Sequence, residues 1–165
     1  MTNSTHWLPD GYSSVTCYLI IRGADRAIDF YRKAFGAHEL FRLTGDDGRI
    51  GHAELQIGNA RVMLADEFPE MDIRGPESLQ GSAVGLMLYV EDVDAVFNAA
   101  ISAGASEFKP LCDQFYGDRA GTIQDPFGHR WTIATHIEDV SNEEVQRRFQ
   151  DMMSGEAADI VIETD

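Results

Sequence analysis

An internal repeat constrains this chain more than any single motif does. When the sequence is shifted by 68 positions, CYLIIRGADRAIDFYRKAFGA (residues 17–37) falls on GLMLYVEDVDAVFNAAISAGA (residues 85–105) without a gap. Each segment is an apolar run, then apolar residues at helical spacing, then a glycine that can end the helix. Short strand-like runs follow in both halves, so each half predicts the order strand–helix–strand–strand–strand. Few identities connect the halves, and the repeated order of elements is the evidence for the repeat.

The repeat predicts one α+β domain built from two βαβββ modules, because a single module would bury only one face of its sheet. We place the first module at 14–66 and the second at 83–137, joined by a linker at 67–82 that is rich in proline, glycine and acidic residues. Ser141 begins S-N-E-E, a capping box that predicts a C-terminal helix over 141–153. We expect a flexible arm at 1–13 and an acidic, disordered tail at 154–165.

The charge of the chain limits its partners. The formal net charge of −15 disfavours nucleic acids and anionic membranes, and it suits a cationic ligand. Cys17 and Cys112 have no motif spacing, so a reducing compartment is expected. Because the N-terminus lacks a signal-peptide pattern and no apolar run is long enough to span a bilayer, we expect a cytoplasmic protein.

The third strand of the first half, within GHAELQIG (51–58), holds His52 and Glu54 two positions apart. Side chains alternate along a strand, so His52, Glu54 and Gln56 should share the face opposite Ala53 and Leu55, which should pack under the helix. An imidazole and a carboxylate on an open face could orient a ligand or move a proton. An ordinary solvated strand face would show the same pattern, and both interpretations stay open.

Several segments resemble one known family. YRKAFGA, GRIGHAEL, DQFYGDR and DPFGHRWTIATH, in this order and within paired βαβββ modules, resemble the vicinal oxygen chelate superfamily, and its PhnB-like branch in particular. That superfamily includes glyoxalase I, extradiol dioxygenases, and bleomycin and fosfomycin resistance proteins. The resemblance covers about residues 13–137 and implies a cup-shaped open barrel with helices on its convex side. It does not specify one chemistry, because this scaffold carries many.

The resemblance also implies four metal-ligand positions, two in each module. Matched onto this chain, they fall at Thr16, Leu64, Gly85 and Thr132. These residues are poor ligands or none, so we predict no metal cofactor. The alternative is a rearranged site for a divalent ion such as zinc, nickel, iron or manganese, held by His52, Glu54 and His136.

The same match predicts which residues line the cup. Strand alternation places Tyr18 with Thr16, and Met87 and Tyr89 with Gly85. It also groups Val62 and Asp66 with Leu64, and Arg130, Ala134 and His136 with Thr132. Similarity to drug-binding relatives places Tyr116 and Arg119 at the rim. The alternatives are that these side chains fill a core, and that Tyr116–Arg119 is a glycine turn with a surface salt bridge.

The segment DPFGHRW (125–131) is predicted to be structural. Pro126 and Gly128 suit a turn and Phe127 suits the core, His129 is expected to be exposed, and Trp131 is expected in the core or in a dimer contact.

These observations predict a metal-independent, homodimeric small-molecule binding protein of the glyoxalase/bleomycin-resistance type. The predicted ligand-binding residues are His52, Glu54, Tyr18, Met87, Tyr89, Tyr116, Arg119 and Thr132. Two other functions stay open: a glyoxalase-like metal-dependent lyase, isomerase or dioxygenase, and a protein whose cup is vestigial. Neither the ligand nor the presence of a catalysed reaction follows from the sequence.

Overall fold

The computed structural model describes residues 6–160, with side chains described through residue 155. The first module contains a four-stranded sheet in the order β1-β4-β3-β2, with β1 parallel to β4 and the other pairs antiparallel. Its elements are β1 (Tyr18–Ile21), α1 (Ala24–Phe35), β2 (His38–Thr44), β3 (Ile50–Ile57) and β4 (Ala60–Asp66).

The linker is more ordered than its composition predicts. It contains a 3₁₀ turn at Pro69–Met71 and a short helix, α2 (Pro76–Leu79). The Glu67 carboxylate holds the linker in place by accepting hydrogen bonds from the Gly75 backbone (2.6 Å) and the Ser78 hydroxyl (3.0 Å).

The second module repeats the first. Its sheet has the order β5-β8-β7-β6, again with one parallel pair, β5 with β8. Its elements are β5 (Gly85–Tyr89), α3 (Val93–Ser102), β6 (Ser106–Asp113), β7 (Asp118–Gln124) and β8 (Arg130–His136). The predicted α+β fold of two βαβββ modules is confirmed, as two open four-stranded sheets rather than a closed barrel.

The register of the repeat differs from the predicted one at the start of each helix. The Asp66 carboxylate accepts hydrogen bonds from the Ala24 backbone, and the Thr135 hydroxyl accepts one from the Val93 backbone, so the two modules correspond there with a shift of 69. The predicted shift of 68 holds only at the helix ends, where Gly36 and Gly104 both have positive φ. The second helical segment is therefore one residue shorter.

Both modules share a single hydrophobic core in which α1 and α3 pack against each other. The centre of this core is Tyr31, which is fully buried and lies 5.5 Å from Trp131 between ring centroids. Its hydroxyl donates to Asp125 Oδ2 over 2.7 Å. Trp131 thus lies in the core, and Asp125 connects the two modules.

His129 is buried, contrary to the predicted exposure. Its Nε2 lies 3.2 Å from the Ile20 carbonyl, and its backbone N–H donates to Asp125 Oδ1. The turn at 125–128 directs the chain back against β1, and sequence spacing alone does not reveal this contact.

The predicted phase of β4, meaning which of its alternating side chains lie on the open face, is wrong by one residue. Val62 and Leu64 belong to the core rather than to an open face, because Leu64 pairs with Leu19 and both lie under α1. Asp66 is buried at the start of α1, where it accepts backbone hydrogen bonds. Met63, which pairs with Tyr18, takes the position on the open face.

The C-terminal helix, α4 (Asn142–Ile160), is longer than predicted and extends into the segment expected to be disordered. Ser141 caps it, since its hydroxyl accepts the Glu144 backbone N–H over 3.3 Å. Phe149 packs on Phe115 with 5.8 Å between ring centroids. Residues 161–165, the rest of the predicted tail, lie outside the described residues, as do residues 1–5 of the predicted arm. Across residues 6–160, none of the helices combines the length and apolar character that a membrane crossing requires.

Candidate functional site

Each sheet has one face covered by helices and one open face. On the first sheet, Ala53, Leu55 and Ile57 are buried, whereas the alternating residues of β3 are partly exposed. We call this surface the first face; it carries Tyr18, Ile20, His52, Glu54, Gln56 and Met63. The corresponding second face carries Met87, Tyr89, Asp118, Thr122, Thr132 and His136. Large apolar side chains are exposed on both faces, including Tyr18 at 46% and Tyr89 at 58%.

A chain of hydrogen bonds crosses the first face. The Tyr18 hydroxyl lies 2.8 Å from His52 Nδ1, and His52 Nε2 lies 3.3 Å from Glu54 Oε1. The predicted pair of His52 and Glu54 is therefore in contact, and it extends to a phenol on the neighbouring region of the sheet. Burial raises the pKa of Tyr18.

The N-terminal arm contributes to this site. A hydrogen bond from the Tyr12 hydroxyl, followed by contacts with His52 and Arg61, lowers the pKa of Glu54 despite partial desolvation. The Arg61 guanidinium lies 4.7 Å from the centroid of the Tyr12 ring and 3.4 Å from Glu54 Oε2. Glu54 is thus an ionised, well-held carboxylate at the edge of the first face.

A cavity of about 610 Å³ lies beside this hydrogen-bond chain. Tyr18 and Gly51 line it together with residues of the linker, and most of its wall is apolar: Ile20, Ala65, Phe68, Met71 and Ile73. Its size falls within the range of about 300–1,000 Å³ that is typical of small-molecule pockets.

The second face is organised around a buried carboxylate. Asp118 is 3% exposed, and it accepts hydrogen bonds from the Tyr89 hydroxyl (2.7 Å) and from His136 Nδ1 (2.8 Å). These contacts raise the pKa of Tyr89, and hydrogen bonds to Asp118 and Asp139 raise the pKa of His136. Nearby, the Thr122 and Thr132 hydroxyls lie 2.9 Å apart.

The two predicted rim residues are placed differently. Tyr116 lies near Asp118, and its pKa is raised by burial and by that carboxylate. Arg119 is directed toward helix α3, where its guanidinium donates to Asp94 (2.8 Å) and to Asp113 (2.9 Å). Arg119 therefore occupies a surface salt bridge rather than a position on the second face, which corresponds to the alternative stated above.

The structure separates the predicted site residues into two groups. Tyr18, His52 and Glu54 meet on the first face, and Met87, Tyr89, Thr132 and His136 lie on the second. Among the described side chains, the polar and aromatic contacts between modules pass through the core, and none joins the two open faces. His136 therefore does not join His52 and Glu54.

The residues do not fit the metal site that the resemblance implies. Thr16 precedes β1, Leu64 is in the core, Gly85 has no side-chain donor, and Thr132 bonds to Thr122. Within residues 6–155, no three His, Cys, Asp or Glu side chains are grouped so that they could hold an ion.

The sequence profile of the glyoxalase/bleomycin resistance protein/dioxygenase superfamily matches residues 14–133, from just before β1 to the middle of β8. The chain belongs to this superfamily. Its paired βαβββ modules, each with an open sheet face, are the fold that the superfamily resemblance implied.

Two mycobacterial relatives, both described as uncharacterized proteins, align with most of this chain. An uncharacterized protein of Mycobacterium tuberculosis (strain H37Rv) is 43% identical over 141 residues, which are 84% of this chain and 83% of that protein. An uncharacterized protein of Mycobacterium bovis has the same identity over 93% of its length.

Solved structures show the same fold. TioX from Micromonospora sp. ML1 is 29% identical, with a TM-score of 0.59 over 76% of this chain and 99% of TioX. A PhnB protein from Bacillus cereus is 19% identical, with a TM-score of 0.60 over 74% of this chain and 99% of that protein. The latter likeness supports the fold alone.

Three contributors to the site were not predicted from the sequence: Tyr12, Asp118 and Met63. Tyr12 lies in a segment expected to be a flexible arm. Asp118 was treated only as part of a turn, although its position before a strand-like run is compatible with either face. Met63 lies on the open face, and the sequence did not predict this because the predicted phase of β4 is one residue out of step.

Proposed function

We propose that this protein is a metal-independent small-molecule binding protein whose principal ligand site is the first face and its cavity. One observation carries the proposal: an apolar cavity of ligand size lies directly beside a held polar group, the Tyr18–His52–Glu54 chain. Small-molecule sites typically combine an apolar wall with a few placed polar groups.

The Glu54 carboxylate favours a cationic or hydrogen-bond-donating ligand, while the two charged residues of the cavity wall, Asp72 and Arg74, have opposite signs. Glu54 is ionised, and the net charge of the chain is −15. If Tyr18 donates its proton to His52, the phenolic oxygen is left as an acceptor toward the cavity. The exposed ring of Tyr18 adds a surface on which a planar or cationic group can stack.

The proposal is tested by calorimetry with a panel of planar and cationic compounds. Truncation of an aromatic anchor typically costs about 2 kcal/mol or more, which is roughly a thirtyfold loss of affinity. We therefore expect Tyr18→Ala to remove most binding, and Glu54→Gln to weaken cationic ligands more than neutral ones. Ile101→Ala, on the partly exposed outer side of α3, is the matched control and should leave binding unchanged. Binding that ignores both Tyr18→Ala and Glu54→Gln would refute this placement of the ligand.

We also propose that the protein is a homodimer, because two of its strands expose large apolar side chains. The edge strand β2 exposes Leu40 at 45%, Phe41 at 48% and Leu43 at 56%, and β5 exposes Met87 and Tyr89. A second copy of the chain would cover such apolar strand surfaces, which otherwise promote association. Sedimentation velocity should show a dimer, and the double variant Phe41→Lys/Leu43→Lys should be monomeric. A wild-type protein that is monomeric at micromolar concentration would contradict this proposal.

A further inference from the structure

We propose that Tyr18 is a nucleophile activated by His52, and that the first face reacts with acyl compounds such as aryl esters in its cavity. The inference rests on the proposed function only in that it uses the same face. Tyr18 would be the catalytic residue, His52 the base that accepts its proton, and Glu54 a positioning residue that acts through His52.

The hydrogen bonds define which nitrogen of His52 carries the proton. Nε2 lies 3.3 Å from Glu54 Oε1, and the pKa of Glu54 is lowered, chiefly by its hydrogen bond with Tyr12. An ionised carboxylate only accepts hydrogen bonds, so Nε2 must carry the proton in neutral His52. Nδ1 then presents a lone pair to the Tyr18 hydroxyl, 2.8 Å away. The Gly51 carbonyl oxygen is a second acceptor near this hydroxyl, but it lies 3.5 Å away. The shorter contact with Nδ1 is therefore the stronger hydrogen bond.

This arrangement has the organisation of a nucleophile, a base and an orienting carboxylate. In such sites the base takes the proton as the nucleophile attacks, and the third group fixes the tautomer of the base. The sequence spacing of His52 and Glu54 indicated the last two members. The structure adds Tyr18 from the neighbouring part of the sheet.

Tyr18 can be reached from the cavity. Tyr18 is 46% exposed, and both Tyr18 and Gly51 line the cavity of about 610 Å³. An acyl compound with an aromatic or aliphatic tail could place that tail against Phe68, Met71 and Ile73 while its carbonyl carbon faces the hydroxyl.

The chain supplies an internal control in Tyr89. Tyr89 is also an exposed residue, and its hydroxyl also donates a hydrogen bond, but the acceptor is the Asp118 carboxylate, at 2.7 Å. A carboxylate is the weaker base, since its ordinary pKa is about 3.9 against about 6.5 for an imidazole. Tyr89 should therefore react as a tyrosine without an activating base.

The reaction with p-nitrophenyl acetate illustrates the proposed step. The Tyr18 oxygen attacks the acetyl carbon, the bond from this carbon to the p-nitrophenolate oxygen breaks, and p-nitrophenolate leaves. The phenolic proton passes to His52 Nδ1, so the products are acetyl-Tyr18, protonated His52 and p-nitrophenolate. No oxidant, reductant or metal is required.

The experiment measures acetylation of each tyrosine by peptide mass spectrometry after timed exposure to p-nitrophenyl acetate. A Cys112→Ser background removes the exposed thiol as a competing nucleophile. General-base assistance is typically worth about 10²–10⁴-fold, so we expect Tyr18 to be acetylated at least about tenfold faster than Tyr89. His52→Gln should lower the rate at Tyr18 to that at Tyr89 and leave the Tyr89 rate unchanged, and its circular dichroism spectrum should match that of the wild type.

A second measurement tests the positioning role of Glu54. The ¹⁵N shifts of the His52 ring should show protonation at Nε2 in the wild type and a mixture of tautomers in Glu54→Leu. Equal rates at Tyr18 and Tyr89, an unchanged Tyr18 rate in His52→Gln, or acetylation of His52 itself would overturn the proposal. Labelling requires no bound ligand. A wild-type protein that binds no compound of the calorimetric panel but shows fast labelling of Tyr18 would therefore contradict the proposed function alone. Binding of such a compound together with equal labelling rates at Tyr18 and Tyr89 would contradict only this inference.

Discussion

The replacement of Asp125 by Asn tests whether the two modules share one core. Asp125 divides its four hydrogen bonds between its two oxygens. Oδ1 accepts the backbone N–H groups of Phe127 (3.0 Å) and His129 (2.9 Å), and Oδ2 accepts the Tyr31 hydroxyl (2.7 Å) and the Trp131 indole N–H (3.1 Å). Tyr31 belongs to the first module, and the other three residues belong to the second.

The amide of Asn can reproduce only the Oδ1 half of this arrangement. Its NH₂ group would face the indole N–H of Trp131 and the hydroxyl of Tyr31, and both side chains are buried. A buried donor without an acceptor costs about 1–3 kcal/mol, so the variant should lose at least about 2 kcal/mol of unfolding free energy. For a chain of this length, that loss lowers Tm by about 4–8 °C.

Urea denaturation, followed by circular dichroism and by tryptophan fluorescence, measures this loss. Tyr31→Phe is the matched control, because it removes one donor and leaves the carboxylate with three partners, at a cost of about 1 kcal/mol. Both probes should report one transition in each protein. A loss below about 0.5 kcal/mol in Asp125→Asn, or separate transitions for the two probes, would refute the shared core.

Two further predictions concern metal content and pH. Elemental analysis of the purified protein should find zinc, nickel, iron and manganese well below one ion per chain, since the four inherited positions are non-ligating; one firmly held ion that is lost in His52→Ala would contradict this. Pairing with Asp118, and then with Asp139, raises the pKa of His136 above its value in the unfolded chain. The stabilisation from this pairing is therefore present below about pH 6.5 and is lost as the pH rises through the raised pKa of His136. The difference in unfolding free energy between wild type and His136→Gln should be larger at pH 5.5 than at pH 8.5. His38→Gln is the control for a surface histidine. An equal difference at both pH values for His136→Gln would contradict the pairing.

The order of the elements could be predicted because periodicity is a local property. The alternation in GHAELQIG placed Ala53 and Leu55 under the helix and His52 and Glu54 on the opposite face, which is how the structure has them. The helices were recognisable from their apolar spacing and terminal glycines. The family followed from several motifs in a fixed order.

The register between the modules and the contacts of the site depend on tertiary structure. A gapless alignment could not reveal that the second helical segment is one residue shorter. The face assigned to the β4 side chains depended on a match to the family, which was one residue out of step. His129 and Asp118 became buried because of what packs on them, and a single sequence contains no signal for that. Tyr12 reaches Glu54 only because the arm folds back over Arg61.

The central claim, that an organic ligand binds on the first face without a metal, is tested most directly by NMR on chelator-treated protein. The measurement is the change in backbone amide shifts on titration with a compound that binds in the calorimetric screen. We predict that the shifts concentrate on β1, β3, β4 and residues 68–74, and that they appear without added metal. Shifts that appear only after zinc, nickel, iron or manganese is restored, or that lie outside the first face, would contradict the account.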